Sequence, residues 1–197
     1  MINIKDENMI RDEILEKVKE LYKIREEKKI FIPGKTKVNY AGRVFDEKEM
    51  VAVVDSVLDF WLTLGVKGRV FCDNFSRYIG VKDCLVTNSG SSANLIAVSA
   101  LCSKIIKNPM KPYDEVITTA MTFPTTLNPI IQNGLIPVFV DIEEDTYNID
   151  ASKIEEAITD KTRAIVFAHT LGNPAEMDKI MDIAKRHNLR SEEHTSE

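Results

Sequence analysis

The chain has 197 residues, of which 44% are hydrophobic and 29% are charged, so it is long enough to bury a core and form one or two domains. Its formal net charge of −5 gives no basic footprint, which argues against nucleic acid as a partner. We expect a cytoplasmic protein that does not enter a membrane, because no apolar run has spanning length and the first residues are too charged for a signal peptide.

The three cysteines are odd in number and lack C-x-x-C spacing. Each lies among apolar residues, which favours free thiols over disulfides or a metal site. We therefore predict that Cys72, Cys84 and Cys102 are buried and reduced.

The first part of the chain is predicted to be helical. Residues 3–29 form one long helix with a single apolar stripe, because isoleucine, valine and leucine recur at steps of three and four. Residues 31–43 contain two glycine-containing breaks and are predicted to form an extended connector. The apolar stripe consists of Ile10, Ile14, Val18, Leu21 and Ile24.

Two further helices are expected before the pattern changes. Asp46 and Glu49 have the spacing of a capping box for a second helix that continues through Trp61. A third helix over about residues 69–79 ends at Gly80, a favourable C-cap. The inner face of the second helix is predicted to hold Met50, Val53, Val54, Val57 and Leu58.

From residue 83 onward, short strands rich in valine and isoleucine alternate with helices, which predicts an α/β fold with a mostly parallel sheet covered by helices on both faces. We assign residues 1–82 to a helical amino-terminal segment and residues 83–189 to an α/β domain. Ligands of such sheets bind beyond the carboxyl ends of the strands. The predicted strands are 84–87, 115–119, 137–141 and 164–168, and the predicted helices are 91–102, 124–133, 151–158 and 175–187.

The junction at residues 83–101 has the order strand, polar turn and helix. The first N–H groups of a helix lack intrahelical partners, so such a junction is suited to an anion, usually phosphate. Gly90 would let the chain approach the anion, and the hydroxyls of Ser91 and Ser92 would add donors. The alternative is that these small polar residues only cap the helix.

The chain ends with eight residues, RSEEHTSE at 190–197, that contain no apolar side chain. The βαβ order requires a buried strand there, and we expect that no strand forms from this sequence. The segment matches the translation of a common sequencing-library adapter. We therefore treat it as an artefact and expect an incomplete sheet, with a genuine polar terminus as the alternative.

Motifs along residues 30–189 resemble the sugar aminotransferase and dehydratase family of fold type I pyridoxal-phosphate enzymes. Residues 40–45 and 60–63 are most similar to its CDP-4-keto-6-deoxyglucose 3-dehydrase group, which acts in lipopolysaccharide and deoxysugar biosynthesis. The other motifs are TNSGSSAN at 87–94, DEVI at 114–117, TFPTTLN at 122–128, GLIPVFVD at 134–141, YNID at 147–150 and HTLGNP at 169–174.

The resemblance implies a cofactor site built from a few residues. Gly90, Ser91 and Ser92 would hold the phosphate of pyridoxamine or pyridoxal phosphate, and Phe123 would stack on the pyridine ring. Without the resemblance, Phe123 would be interpreted as a core residue. His169 is expected to orient or support the site rather than to catalyse. The nucleotide-sugar site is expected to include Trp61, Thr63 and Gly65.

The resemblance also implies that the catalytic residues lie beyond Leu189: the acid that pairs with the pyridinium nitrogen, and the His of the dehydrases or the Lys of the aminotransferases. Ligands of a 2Fe–2S cluster are expected there too, so we assign no catalytic residue and no metal ligand to the present chain. The complete protein is expected to be a homodimer that removes the 3-hydroxyl of CDP-4-keto-6-deoxyglucose, with a reductase as partner.

Three alternatives remain open from the sequence. The complete protein is either the dehydrase or an aminotransferase that makes an amino sugar, and only the residue beyond Leu189 distinguishes them. A non-catalytic phosphate-binding module would show the same helix terminus without the chemistry. The 197-residue chain itself is expected to be inactive and to fold poorly, because one sheet edge would stay open.

Overall fold

The computed structural model describes residues 6–39 and 42–195, with the backbone alone for residues 191–195. Two compact units divide the chain, Met1–Val86 and Thr87–Glu197. Within the described ranges, the first unit contains three α-helices, and the second contains three α-helices and a four-stranded sheet.

The first unit contains α1 (Glu7–Glu27), α2 (Glu47–Leu58) and α3 (Val66–Ile79). Two ion pairs join α1 to the end of α2, because Arg11 lies 2.6 Å from a carboxylate oxygen of Asp55 and 2.8 Å from one of Asp59. The hydrogen bonds from Arg11, and then from Lys67, hold the pKa of Asp55 below its ordinary value.

The caps of these helices confirm two predictions. Asp46 and Glu49 form the predicted capping box at the start of α2, and Gly80 ends α3 with a left-handed φ of 79°. Two observed helix ends differ by a few residues from the predicted ones. Helix α2 ends before Trp61 because Phe60 takes a positive φ of 48°, and α3 begins at Val66 rather than near residue 69. The predicted start of α1 at residue 3 lies outside the described residues.

The predicted apolar faces of the first unit are not buried. In the described part of this unit, only Ser76 is buried, and it is polar. Val53 and Val57, which were expected on the inner face of α2, are each 64% exposed. Helix amphipathicity selects a face but does not supply a surface to cover it. The exposed apolar side chains of this unit include Ile10, Ile14, Leu21, Ile24, Trp61, Leu62, Val66, Val70, Phe71, Phe75 and Tyr78.

The second unit has the predicted α/β architecture. Its parallel sheet has the order β2-β1-β3-β4, which is what alternating strands and helices indicate. The strands are β1 (Glu115–Thr119), β2 (Ile136–Val140), β3 (Thr162–His169) and β4 (Arg190–Thr195), and the helices are α4 (Gly90–Leu101), α5 (Pro124–Gln132) and α6 (Met177–Arg186).

Each face of the sheet carries its own core, because successive side chains of a strand point to opposite sides. On one face, Ile165 and Phe167 of β3 pack with Ile180 and Ile183 of α6. On the other face, Ala164 and Val166 pack with side chains from α4 and α5 and with the buried Met110. The helices therefore cover both faces, as predicted.

Two predicted elements are absent from the structure. Residues 84–87 are extended but form no strand, because none of the described strands pairs with them. The predicted helix at residues 151–158 is a series of turns followed by a 3-10 helix at Glu155–Ala157. At its start, the Asp150 carboxylate accepts bonds from the N–H and hydroxyl of Ser152, a local turn that competes with a helix.

The prediction that residues 190–197 form no strand is wrong, because β4 pairs with β3 in parallel register over six residues, from Ala164↔Arg190 to His169↔Thr195. Backbone hydrogen bonds do not depend on side-chain type. The unpaired edge of β3 can therefore pair with the segment that follows α6, although that segment has no apolar residue. Whether the segment is an adapter sequence stays a prediction.

The three cysteines are free, as predicted, but the prediction of burial is wrong, because each is only partly buried. Burial nevertheless raises the pKa of Cys84 and of Cys102. Among the helices of the described residues, none combines the length and apolar character needed to cross a membrane.

Candidate functional site

The turn at residues 89–92 forms the amino terminus of α4, as the sequence predicts. Ser89 is the N-cap, and its hydroxyl accepts a hydrogen bond from the backbone N–H of Ser92 at 3.2 Å. The Ser89 carbonyl accepts from Ala93 N–H, and the Thr87 hydroxyl donates to that same carbonyl at 2.8 Å. The turn is therefore fixed from both sides before any ligand is added.

Two backbone donors of this turn are unused. Within the described residues, the N–H groups of Gly90 and Ser91 have no hydrogen-bond partner. A Cβ at Gly90 would meet no atom within 4 Å, so the space beside the Gly90 Cα is open. Gly90 and Ser91 are both exposed. Free N–H groups at the positive end of a helix are suited to binding an anion.

Ser92 also takes part in the cap, and the donor role predicted for its hydroxyl stays a prediction, because in its bond with Ser89 that hydroxyl oxygen accepts. Its N–H is bonded to the Ser89 hydroxyl, and its own hydroxyl lies 3.2 Å from that hydroxyl. Ser89 and Ser92 therefore form an N-cap, and phosphate binding by Gly90, Ser91 and Ser92 stays a prediction. A cap and an anion site are compatible in one turn because a helix terminus has more free donors than one capping side chain can satisfy.

Phe123 is the N-cap residue of α5, followed by Pro124 in the first turn. Its ring is 57% exposed, so it is not the core residue that the pattern alone suggests. Behind it, the hydroxyls of Thr122 and Thr126 lie 3.0 Å apart. Because α5 directly follows β1, Phe123 lies at the carboxyl edge of the sheet, where strands end and helices begin.

The amino-terminal turns of α4 and α5 lie beside each other. The side-chain amide of Asn94 donates to the carbonyl of Thr125 at 3.3 Å. Asn94 is in the first turns of α4, and Thr125 follows Phe123 by two residues. The structure therefore places the free donors of Gly90 and Ser91 and the exposed Phe123 ring at the same edge of the sheet, with two positive helix ends directed there.

His169 ends β3 at this edge. Its Nδ1 accepts a hydrogen bond from the backbone N–H of Ala175 at 3.1 Å, and its ring contacts Phe167 edge-on at 5.6 Å between centroids. One ring nitrogen is thus used to hold the loop that leads to α6, which fits the orienting role expected for His169.

Asn148 is a residue whose contribution the sequence did not reveal. Its side chain is 2% exposed and joins two loops of this edge. Its carbonyl oxygen accepts from Thr170 N–H, and its amide donates to the carbonyl of Asn173, both at 2.9 Å. In the sequence, Asn148 is visible only as an asparagine in the motif YNID. Its burial is seen only in the folded structure.

The residues expected at the nucleotide-sugar site belong to the first unit. Trp61, Thr63 and Gly65 line one cavity of about 640 Å³. A side chain at Gly65 would approach the indole of Trp61 to 2.8 Å, so glycine makes room for the ring. Their role toward a substrate stays a prediction.

The residues present fit a phosphate ester with an aromatic ring. Two N–H groups and the Ser91 hydroxyl supply donors for phosphate oxygens, and Phe123 supplies an exposed face for stacking. Within the part of the chain that the structure describes, no three His, Cys, Asp or Glu side chains form a group that could hold a metal ion.

The comparison with known proteins agrees with this geometry. Residues 44–193 match the DegT/DnrJ/EryC1/StrS aminotransferase family. The chain belongs to this family.

Members of the DegT/DnrJ/EryC1/StrS family with similar sequences include two curated bacterial proteins. One is dTDP-4-dehydro-2,6-dideoxy-D-glucose 3-dehydratase of Saccharopolyspora spinosa, 46% identical over 91% of this chain and 39% of the relative. The other is the lipopolysaccharide biosynthesis protein RfbH of Salmonella typhimurium, 47% identical over 92% of this chain and 42% of the relative.

A solved structure of the family superposes on the chain. GDP-4-keto-6-deoxy-D-mannose-3-dehydratase of E. coli, with bound hydrated PLP, has a TM-score of 0.69 and 36% sequence identity, covering 78% of this chain and 39% of that protein. The fold is therefore that of the fold type I pyridoxal-phosphate enzymes, as predicted. The chain spans about two fifths of the length of the relatives it matches.

Proposed function

We propose that the chain is the phosphate-binding part of a vitamin B6-dependent nucleotide-sugar 3-dehydratase. The complete protein would remove the C3 hydroxyl of CDP-4-keto-6-deoxyglucose in deoxysugar or O-antigen biosynthesis in the cytoplasm. The observation that carries the proposal is the pair of N–H groups without a partner among the described residues, on the exposed Gly90 and Ser91, at the same sheet edge as the exposed Phe123.

The division of roles follows from the chemistry of each group. Gly90 and Ser91 would hold the dianionic phosphate through backbone N–H groups, assisted by the positive end of α4. Ser89 and Ser92 would keep the turn in shape through the hydrogen bond between them. Phe123 would fix the plane of the cofactor ring by offset stacking.

Pyridoxamine phosphate, when bound, supplies the electron sink for cleavage of the C3–O bond. The chain's own contribution would be to fix the position and orientation of that group. The catalytic His, any 2Fe–2S cluster and the contact to a reductase would lie outside the residues of this chain.

The test is a titration of the 197-residue chain with pyridoxamine phosphate and, separately, with pyridoxamine, monitored by cofactor fluorescence. Replacing Ser91 by Asp places a negative charge beside the free donors. We expect S91D to weaken pyridoxamine phosphate binding at least tenfold, since it costs a charge-assisted contact and adds repulsion.

The phosphate-free ligand is the internal control, because pyridoxamine lacks the group that the turn recognises. A100D, an exposed change on the same helix, controls for added charge. The proposal fails if S91D binds pyridoxamine phosphate as A100D does. Phosphate-dependent binding without any change in cofactor spectrum when a keto sugar is added to the complete protein would favour a non-catalytic module.

A sugar aminotransferase is the second candidate, because the family that matches residues 44–193 is described as an aminotransferase family. The N–H groups of Gly90 and Ser91 and the ring of Phe123 would bind the cofactor of an aminotransferase in the same way. The discriminating observation is the residue that faces the cofactor in the complete protein: histidine supports the dehydratase, and lysine supports the aminotransferase.

We also propose that the complete protein is a homodimer. The support is the amount of apolar surface that the first unit leaves exposed, since large exposed apolar patches mark interfaces. Val70, Phe71 and Phe75 of α3 are 50%, 51% and 44% exposed.

A further inference from the structure

A cationic cavity lies at the edge of the sheet opposite the cofactor-binding turn. It has a volume of about 820 Å³ and is lined by residues at the amino-terminal starts of β1, β3 and β4. Because the strands are parallel and β1 has five residues, the two edges are roughly 16 Å apart. The cavity is thus separate from the proposed cofactor site.

Outside residues 190–197, three cations line this cavity, against one carboxylate. Lys107 and Lys111 come from the loop after α4 and Arg163 comes from β3, while Asp114 is the single acid. Arg190 also lines the cavity, but it belongs to the segment interpreted as an adapter sequence, and its guanidinium donates to the Lys107 carbonyl at 3.2 Å. This concentration of positive charge contrasts with the net charge of −5 of the whole chain. It raises the local potential for anions.

The two lysines have no counter-ion. Within the described residues, neither Lys107 nor Lys111 forms an ion pair through its ammonium group, and both are exposed. Arg163 Nε lies 3.9 Å from the Asp114 carboxylate, a long ion pair that an incoming anion can compete with, while one of its terminal nitrogens donates to the carbonyls of Asp160 and Thr162 at 2.9 Å. Asn108 and Asn188 add side-chain amide donors to the lining.

The loop that carries the lysines is anchored. Met110, which lies between them, is 3% exposed and packs in the core with Val116 and Ala164. Its N–H donates to the Leu101 carbonyl at 2.9 Å. Lys111 N–H donates to the Asp114 carboxylate at 2.8 Å. The backbone at Lys111 is therefore fixed in advance, which lowers the entropic cost of binding.

The lining also limits the chemistry of the ligand. The volume falls within the usual range for small-molecule sites, roughly 300–1,000 Å³. No Phe, Tyr or Trp side chain lines the cavity, and its one aromatic ring is the small imidazole of His187. His187 is held by Glu155 at 2.8 Å and does not add a free cation. Charge, rather than ring shape, is what this cavity can recognise.

We propose that this cavity, between Lys107, Lys111 and Arg163, binds a small compound with two or more phosphate groups. The proposal is independent of the cofactor site, because it uses the opposite edge of the sheet. A diphosphate carries more negative charge than a single phosphate, so it gains more from a lining with several cations.

The test is calorimetric titration of the 197-residue chain with inorganic pyrophosphate, in saturating pyridoxamine phosphate so that the cofactor-binding turn is occupied. We expect K107A/K111A to weaken pyrophosphate binding about tenfold. K35A/K37A removes the same charge from an exposed loop of the first unit and should bind as the unmodified chain does.

Asp114→Asn provides a readout of opposite sign. It keeps an oxygen for Lys111 N–H and removes the competing carboxylate, so pyrophosphate should bind severalfold more tightly. A purely structural role for these residues would not increase affinity. The proposal is overturned if millimolar pyrophosphate gives no binding heat, if K107A/K111A matches K35A/K37A, or if D114N binds no more tightly. Matching far-ultraviolet circular dichroism spectra establish that the variants are folded.

Discussion

At the scale of single residues, Asn148 connects two loops of the carboxyl edge. Its buried amide uses both polar atoms, one to accept from Thr170 and one to donate to Asn173. When a buried polar group loses its partner, the loss of folding free energy is larger than the net stabilisation that the hydrogen bond had supplied.

We therefore expect Asn148→Ala to lower the free energy of unfolding by about 1–3 kcal/mol. The measurement is urea denaturation followed by circular dichroism. Asn128→Ala, an exposed position on α5, is the matched control and should change stability by less than about 0.5 kcal/mol. Equal effects of the two substitutions would contradict the bridging role.

At the scale of elements, one carboxylate ties the 3-10 helix at Glu155–Ala157 to α6. Glu155 pairs with Arg186 and lies 2.8 Å from Nε2 of His187. These bonds, that of Arg186 first, lower the pKa of Glu155 from its ordinary value of 4.5 to about 2. The predicted helix at residues 151–158 does not form, yet its chain is held against α6 by this contact.

The sign of the pH dependence follows from that lowered pKa. A carboxylate that is more acidic in the folded state stabilises the fold above pH 4.5, and this contribution is lost as the pH falls toward 2. Glu155→Gln should therefore reduce the melting temperature at pH 7 and flatten its decline between pH 4.5 and 2.

Thermal denaturation at a series of pH values measures this effect. Glu156→Gln is the neighbouring control, because Glu156 is exposed and forms no ion pair within the described part of the chain. An acid-side slope that is the same in both variants would show that Glu155 does not contribute.

At the scale of the whole molecule, the two units differ in how much core they possess. The second unit buries side chains on both faces of its sheet. The first unit, over its described residues, buries no apolar side chain. Apolar surface left in water favours association by roughly 25 cal/mol for each Å² that becomes covered.

We accordingly expect the 197-residue chain to self-associate through its first unit. Phe71 and Phe75 stack on each other at 5.5 Å on α3 and remain about half exposed. Phe71→Glu should lower the apparent mass measured by light scattering at a given concentration. Asn74→Glu adds the same charge to an exposed position of α3 and should leave the mass unchanged; an equal loss in both would attribute the effect to charge alone.

The sequence by itself determined the elements whose causes are local. The capping box at Asp46, the C-cap at Gly80 and the parallel alternation from β1 to β3 followed from residue type and spacing. It also located the turn at Gly90 and Ser91, because free helix N–H groups depend on nothing outside the turn.

Only the tertiary structure decided the features that need a distant partner. Residues 84–87 have strand composition but no neighbouring strand among the described residues, whereas β4 has no apolar residue but pairs with the open edge of β3. In the same way, the burial of Asn148 and the exposure of Phe123 depend on what packs around them. Strand pairing and burial are properties of two segments at once, so no pattern within one segment specifies them.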